Sequence, residues 1–305
     1  MHVLISGASG LIGTALIPLL QAQGHRVSVL STRKNSKFFT DEVETYYWNP
    51  EESYLDIDAL NNVDVIISLA GSNVAQRWTK KNKKSILNSR VMGTRLLVDA
   101  LKSKKGTKIK HFVSASAIGI YPSHLTTKYT ENETAKAKGF LADVVQAWET
   151  EADKAVDVVS HVSKIRIGLV LAQNAGALPP IAKPASMGLG AWFGSGRQWQ
   201  SWIHIDDLVR MFLFVLNHPG CYNGVAPNPV TQKQLVKAIA KAYQRPQWLP
   251  GIPKVIIKVL AGQMSQVLLD SICASSQAIE SKGFGYLYAT IEQALSDLLP
   301  FRSKN

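Results

Sequence analysis

A chain of 305 residues can bury one large core or a core domain with a smaller appendage. Its composition, 46% hydrophobic and 18% charged with mean hydropathy near zero, fits a soluble globular protein, and no apolar run approaches the roughly 18 residues of a membrane span. The net charge of +12 raises a polyanionic partner, but the basic stretches at 80–84 and 102–110 come without a zinc finger, helix-turn-helix or aromatic-laced stripe and read as solvated surface, not nucleic-acid contacts.

In chain order, the apolar start MHVLISGASG has neither the charged region nor the cleavage site of a signal peptide and reads as a strand at 2–6 entering a turn. A helical pattern follows over 11–22 and RVSVL then alternates as a second strand, so the chain opens as a βαβ unit. Further strands are expected near 44–48, 63–69 and 109–114, with helices near 56–61 and 80–104, then a helix at 139–156 and a strand at 161–167. Strands that are continuously apolar are buried on both faces, which predicts an α/β fold: a doubly wound parallel sheet of the Rossmann type. Beyond 172 the chain turns rich in Gly, Pro and Trp and then mainly helical. Residues 1–172 are therefore assigned to a nucleotide-binding domain whose sheet continues into later segments, and 173–305 to a smaller, mainly helical substrate or lid region at the sheet's C-terminal edge. Cys221 and Cys273 lack metal-ligand spacing, which fits two reduced thiols in a cytoplasmic protein and no metal site.

The segment SGASGLIG sets Gly7, Gly10 and Gly13 directly after a strand and at the mouth of a helix. The first glycine allows the tight turn, the second lets backbone approach a pyrophosphate, and the third lets the helix pack on the strand. The helix N-terminus then offers unpaired N–H groups to the phosphates. Gly7, Ser9, Gly10, Leu11, Ile12 and Gly13 are thus expected to hold a dinucleotide, the alternative being a glycine-rich structural turn. An NAD site offers Asp or Glu to the ribose 2′-OH about 20 residues on, whereas an NADP site offers Arg. No acid occurs between residues 1 and 40, while STRKNSK brings Thr32, Arg33 and Lys34 to the place, so NADP(H) is expected over NAD(H). Were Arg33 and Lys34 only solvated loop residues, the choice would stay open.

The segments SGASGLIG, WNPEESYLD, SLAGSNVAQRWT, SRVMGTR, SASAIGIY, FLADVVQAWE, RIGLVLAQNAGALP, GLGAWFGSGRQWQSWIHIDDL and LAGQMSQVLL follow one another over nearly the whole chain. Together they resemble the extended short-chain dehydrogenase/reductase superfamily, and within it the atypical "epimerase family protein" group related to bacterial YfcH. The resemblance implies that Leu69, Ala70 and Gly71 pass along the cofactor's ribose and that Ser114 and Ser116 end a strand beside the nicotinamide. It also implies hydride exchange at the nicotinamide C4 while a tyrosine hydroxyl moves the substrate's proton, a lysine one turn on lowers that tyrosine's pKa, and a serine holds the oxygen. Spacing of i, i+4 stacks the pair on one helix face. The matching positions here are Phe140 and Val144, and neither transfers a proton.

Ser116 remains, either as a substrate-holding donor or as a serine packed at a strand end. Tyr121 is the nearest acid, or else a half-buried loop aromatic. Arg90 stands where such chains often carry asparagine, and clamps an anion or the cofactor, or forms a surface ion pair. Asp143 and Glu149, on one helix, are expected to face solvent, and Glu131 and Glu133 to be loop charges. His204, ahead of Asp206 and Asp207, reads as part of a helix N-cap more readily than as a base.

On the substrate side, nucleotide-sugar members of the superfamily place an arginine before an Asp-aromatic pair to bind the diphosphate. Gln200 and Ser201 occupy those places here, and glutamine cannot supply the charge, which leaves Arg197 as a substitute. Trp192, Trp199 and Trp202 crowd one segment and either stack a flat ligand or glue a lid to its core. Arg77 and Trp78 follow the strand that ends near 69; Arg77 meets an anionic group or solvent. Arg77, Arg197, Trp199 and Gln200 are the substrate candidates, with Ser116 and Tyr121 the catalytic ones. The leading expectation is an NADP(H)-dependent oxidoreductase or epimerase-like enzyme acting on a small molecule, without nucleic acid or membrane, and with homodimerism open. The alternative is an NADPH-binding regulator of the cell-division type, without turnover.

Overall fold

The computed structural model describes residues 1–34, 43–104 and 109–299. Strands β1 (His2–Ser6), β2 (Arg26–Ser31), β3 (Glu44–Asn49), β4 (Tyr54–Leu55), β5 (Val65–Ser68) and β6 (His111–Ala117) join strands His161–Ile167 and Cys221–Gly224 in one eight-stranded sheet. Across the sheet the order is Cys221–Gly224, His161–Ile167, β6, β5, β1, β2, β3, β4, parallel throughout except between β3 and β4. The chain starts in the middle at β1, winds outward to β4, and returns on β1's other flank as β5. That reversal opens a crevice beyond the strands' C-terminal ends, the place where ligands of such sheets bind.

Between and after the strands run α1 (Leu11–Ala22), α2 (Lys80–Ser103), α3 (Phe140–Asp153), α4 (Leu178–Ser186), α5 (Ile205–Phe214), α6 (Gln232–Ala242) and α7 (Lys254–Ala261). Side chains alternate across a strand, so Val3 and Ile5 pack with Leu16 of α1 and Leu208 and Phe212 of α5, while Leu4 packs with Leu97 and Leu101 of α2 on the opposite face. Each such buried side chain stabilises the fold by about 1.5–3 kcal/mol, and two buried faces explain why the strands read as unbroken apolar runs. The helix expected near 56–61 is a single 3-10 turn, Ile57–Leu60, whose start is capped by the Asp56 carboxylate accepting from the Asp58 N–H.

The later part of the chain does two jobs. Strand Cys221–Gly224 completes the sheet's edge and α5 covers the same face as α1, whereas α4, α6 and the last helix (Ile291–Leu298) gather around Leu171 and the fully buried Trp202 in a separate core. Short strands tie the two together: Leu169–Leu171 pairs with Trp202–His204, and Lys128–Tyr129 with Cys273–Ala274, both in parallel.

Candidate cofactor and active site

At the reversal point the chain leaves β1 through Gly7, whose φ is +73°. A Cβ there would lie 2.6 Å from the Ala70 nitrogen and the Leu69 carbonyl carbon, so only glycine lets the first turn nest against the segment leaving β5. A Cβ on Gly13 would come within 2.4 Å of the Ala8 carbonyl oxygen, so the third glycine sets how closely α1 approaches the turn. No side chain caps α1 and its first turn holds no acid. Its leading N–H groups and positive dipole therefore face the crevice, the chemistry a pyrophosphate requires. Beside them the Ser6 hydroxyl is buried with no protein partner among the described residues. Gly7, Ser9, Gly10, Leu11, Ile12, Gly13, Leu69, Ala70 and Gly71 are thus brought to one place, and Ser114 pairs with Ser68 in the neighbouring strand end. These residues fit a dinucleotide.

One hollow meets this cradle at Ala70 and Gly71, and a second lies at the end of β2. One of about 530 Å³ is lined by Thr32, Trp48, Asn49, Ala70, Gly71 and Ser89, among others. The second, about 710 Å³, is lined by Arg33 and Lys34 at the end of β2, with Tyr47 and Tyr54 and the carboxylates of Glu52 and Asp56. The rest of STRKNSK, from residue 35 on, lies outside the described residues. Arg90 reaches the cradle from α2: its guanidinium crowds Gly71, donates to the Ser72 and Ile86 carbonyls, and lies 5.3 Å from the centre of the Trp148 ring. Burial lowers its pKa to about 10. Arg90 has no carboxylate partner among the described residues, so the surface ion pair considered for it is not formed.

Beyond Ser114, the neighbouring strand ends carry a closed polar network. Glu149 of α3, expected in solvent, is only 7% exposed, because it meets Arg166 from strand His161–Ile167 in a two-pronged pair, Nε to Oε1 at 2.9 Å and Nη2 to Oε2 at 3.0 Å. Burial works to raise its pKa, but the Arg166 and Ser116 hydrogen bonds and the charges of Arg166 and Lys164 outweigh burial and hold it below the usual carboxylate range. An ionised carboxylate can only accept, so the Ser116 hydroxyl, 2.6 Å from Glu149 Oε1, spends its single proton there. The expected substrate-holding donor is therefore an acceptor.

Tyr121 is engaged in the same way. Its hydroxyl accepts from Arg166 Nη1 at 2.9 Å and donates to Asn223 Oδ1 at 2.8 Å, the Asn223 amide being fixed by its own bond to the Ser275 carbonyl. The ring is 1% exposed, where a half-buried loop residue was the alternative, and it stacks on Tyr129 at 5.2 Å. Burial pushes its pKa up to about 12. Glu131, expected as a loop charge, accepts from the Asn223 N–H and has its pKa raised by burial. Arg166 and Asn223 were not found from sequence, although an arginine inside a strand that the apolar pattern buries must have a partner and was the available signal.

Phe140 and Val144 do share one face of α3, as their spacing requires, but that face is apolar. Val144 is 2% exposed and packs with Trp78 and Ile86, with Phe140, Leu141 and Met264 around them. The Trp78 and Phe140 rings meet edge to face, 5.0 Å between centres, and the Lys83 ammonium sits 5.0 Å over Phe140.

The substrate candidates stand on two segments, Arg77 before α2 and Arg197, Trp199 and Gln200 before strand Trp202–His204. Arg77 and Arg197 are exposed. Trp199 donates its ring N–H to the Leu125 carbonyl, Gln200 pairs with Val230, and Trp202 donates to Asn228 from within the C-terminal core. Trp199 and Trp202 therefore hold segments together in different places. His204 caps α5, its Nδ1 accepting from the Asp206 N–H, while Nε2 faces Asp297 and the ring stacks on Tyr288 at 3.8 Å. His204, Asp206 and Asp297 are close enough to share an ion, yet both ring nitrogens already have protein partners.

The chain matches the model of the "NAD dependent epimerase/dehydratase family" over residues 3–224, and over 252–298 a domain of unknown function, DUF1731. It is similar to epimerase family protein YfhF of Bacillus subtilis, 34% identical over 305 residues that cover 99% of each chain. An epimerase family protein of Staphylococcus epidermidis is 33% identical over 301 residues, covering 97% of this chain and 98% of its own. Among solved structures, human epimerase family protein SDR39U1 (isoform 2) with NADPH aligns at a TM-score of 0.85 and 29% identity, covering 98% of this chain and 99% of its own. A UDP-glucose 4-epimerase of Thermus thermophilus with NAD aligns at 0.75 and 16% identity over 98% of each chain, a likeness that shows the fold alone.

Proposed function

This chain belongs to the NAD dependent epimerase/dehydratase family, and on that premise we propose that it binds NADP(H) and works as an oxidoreductase or epimerase-like enzyme on a small molecule, without a Tyr-x-x-x-Lys pair. The observation that carries the reading is the uncapped, acid-free start of α1, nested against Leu69 and Ala70, while Arg33 and Lys34 line a hollow at the end of β2. Residues Gly7 to Gly13 would hold the pyrophosphate, Arg33 and Thr32 the 2′-phosphate end, and Leu69 to Gly71 the ribose. Bound there, the nicotinamide supplies a hydride donor or acceptor. Of the chain's own groups, Ser116 accepts a hydrogen bond from whatever sits beside it, the Glu149–Arg166 pair fixes Ser116, and Phe140 and Val144 exclude water from their side of the cleft. NADPH bound to human SDR39U1 supports the cofactor choice, and the ordered segments from SGASGLIG to LAGQMSQVLL support a place beside YfcH. The same reading sets a cytoplasmic protein with residues 1–172 as cofactor domain and 173–305 as substrate or lid region.

The test is Arg33→Ala. NADP(H) should bind roughly tenfold or more weakly while NAD(H) changes little, since a charge-assisted phosphate contact contributes about 1.5–3 kcal/mol. Equal loss for both cofactors overturns the 2′-phosphate assignment. A second reading, an NADPH-loaded regulator that docks on a partner, is favoured by α7, which leaves Val255, Val259 and Leu260 more than 70% exposed. It predicts that NADPH changes affinity for a protein partner while broad substrate panels give no turnover.

A further inference from the structure

Helix α7 turns most of its apolar side chains to water. Ile257 is buried, but Val255, Val259 and Leu260 are 72%, 71% and 74% exposed and Ile256 is exposed beside them. At about 100° per residue, these four exposed side chains fall within one arc of about 140°, with Lys254 and Lys258 together on its flank and Ile257 turned away from it. In the loop before the helix, Trp248 is 80% exposed. An eight-residue helix that buries one side chain is marginal in water, and Lys254 at its first position opposes the helix dipole with no acid in that turn to offset it. Neither choice stabilises the chain by itself, so both point to something that covers the helix.

Charge identifies the cover. From Leu208 to Leu269 the chain has no Asp or Glu and seven lysines and arginines. Lys241, Arg245, Lys254 and Lys258 are exposed, and no ion pair among the described residues engages them. A second copy of the chain would set Lys254 and Lys258 against their own kind. A protein partner would have to match the relief of the aliphatic arc, whereas an anionic lipid surface meets it with fluid acyl chains and meets the lysines with phosphates. We infer that α7 and the Trp248 loop seat this protein on an anionic lipid surface, the aliphatic arc below the headgroups and Lys254 and Lys258 at their level. Lysine stems and an indole both suit that boundary. No helix among the described residues is long and apolar enough to cross a membrane, and a helix lying in the surface plane needs no such length. The expectation of a chain without membrane contact rested on that missing span. The inference stands independently of the cofactor reading.

The experiment uses the full chain with two kinds of vesicle, phosphatidylcholine alone and an equal mixture with phosphatidylglycerol. Co-sedimentation should show binding to the mixture roughly tenfold or more tighter than to phosphatidylcholine, weakening as salt rises from roughly 0.1 to 1 M. Tryptophan emission should move to shorter wavelength on binding, and Trp248→Phe should remove that shift; a shift that survives overturns the placement of the loop. Val259→Glu with Leu260→Glu should abolish binding, and Lys254→Gln with Lys258→Gln should weaken it roughly tenfold. Both pairs should leave the far-UV circular dichroism spectrum unchanged, since all four side chains face solvent. Equal binding to both vesicles, or binding that survives Val259→Glu with Leu260→Glu, overturns the inference. No binding to the mixture overturns it in favour of the protein partner of the second reading. Dimerisation in sedimentation velocity that the same two substitutions remove overturns it in favour of a second copy. NADPH that does not bind overturns the cofactor reading alone.

Discussion

The two ends of this crevice are built on opposite principles. At the glycine end the protein contributes backbone: Gly7 and Gly13 remove side chains, α1 is left uncapped, and polar groups stay open for a ligand. At the far end, past β6, every polar group is already answered by another, Ser116 by Glu149, Glu149 by Arg166, Arg166 by Tyr121, and Tyr121 by Asn223. One end is preorganised to receive charge and the other to conceal it. The polar groups beside a cofactor cradle can thus change without disturbing it, because among the described residues no side-chain hydrogen bond joins the two ends of the shared sheet.

The sharpest way to break this contrast is to open the closed end. Glu149→Ala would leave the Arg166 guanidinium buried without a counter-charge, and stability should fall by about 3–5 kcal/mol in urea denaturation. NADPH affinity of the folded fraction should hold. A loss under about 1 kcal/mol would mean that water reaches the pair and that the network is not sealed. A smaller effect comes from the sheet's opposite edge. His111, 3% exposed and bonded to Ser163 Oγ, has its pKa lowered from 6.5 to about 4 by burial and by the neighbouring His161. A depressed pKa means that the unfolded chain takes up the proton first, so its stabilisation is complete above pH 6.5 and is lost as pH falls toward about 4. Up to about 3 kcal/mol is at stake, at 1.36 kcal/mol per unit. Thermal unfolding across that window should decline, and His111→Gln should flatten the decline. A flat wild-type profile would instead place the first acid-sensitive group in the Glu149 network, whose carboxylate is held low.

How much of this was legible follows from the same contrast. The cradle's requirements are local: a glycine where φ is positive, a strand before and a helix after, all within one βαβ unit. Such needs leave their mark on adjacent residues, so SGASGLIG reveals them. The network joins residues 17 to 102 positions apart, and nothing next to Glu149 in sequence says that Arg166 will lie against it. Helical spacing alone sent Glu149 to solvent, because the residues that make its burial tolerable come from a strand not yet placed. Phe140 and Val144 were legible as absences, but that they pack with Trp78 in a buried cluster was not, since Trp78 arrives from the loop before α2. Strand Cys221–Gly224 escaped notice for a related reason: four residues with Asn and Gly carry no apolar alternation, and only the neighbouring strand defines them.

Tyr121→Phe gives the smallest effect and the finest discrimination. Removing the hydroxyl leaves Asn223 Oδ1 buried without its donor, while Arg166 keeps both prongs on Glu149 and its bond to the Glu131 carbonyl. The cost should be about 1–2 kcal/mol, well below that of Glu149→Ala, because a neutral acceptor and not a charge is stranded. Alkaline behaviour supplies an independent check. Tyr121 is held neutral up to about 12, above the value of 10.0 for a free tyrosine, so its contribution is complete below pH 10 and disappears as pH rises toward 12. The variant should lose that part of the alkaline decline. If Tyr121 instead hands protons to a substrate, Tyr121→Phe will leave stability nearly unchanged and abolish NADPH turnover. Reduced stability with cofactor binding and any NADPH turnover preserved places the tyrosine where its hydrogen bonds put it, in the buried network and not in the reaction.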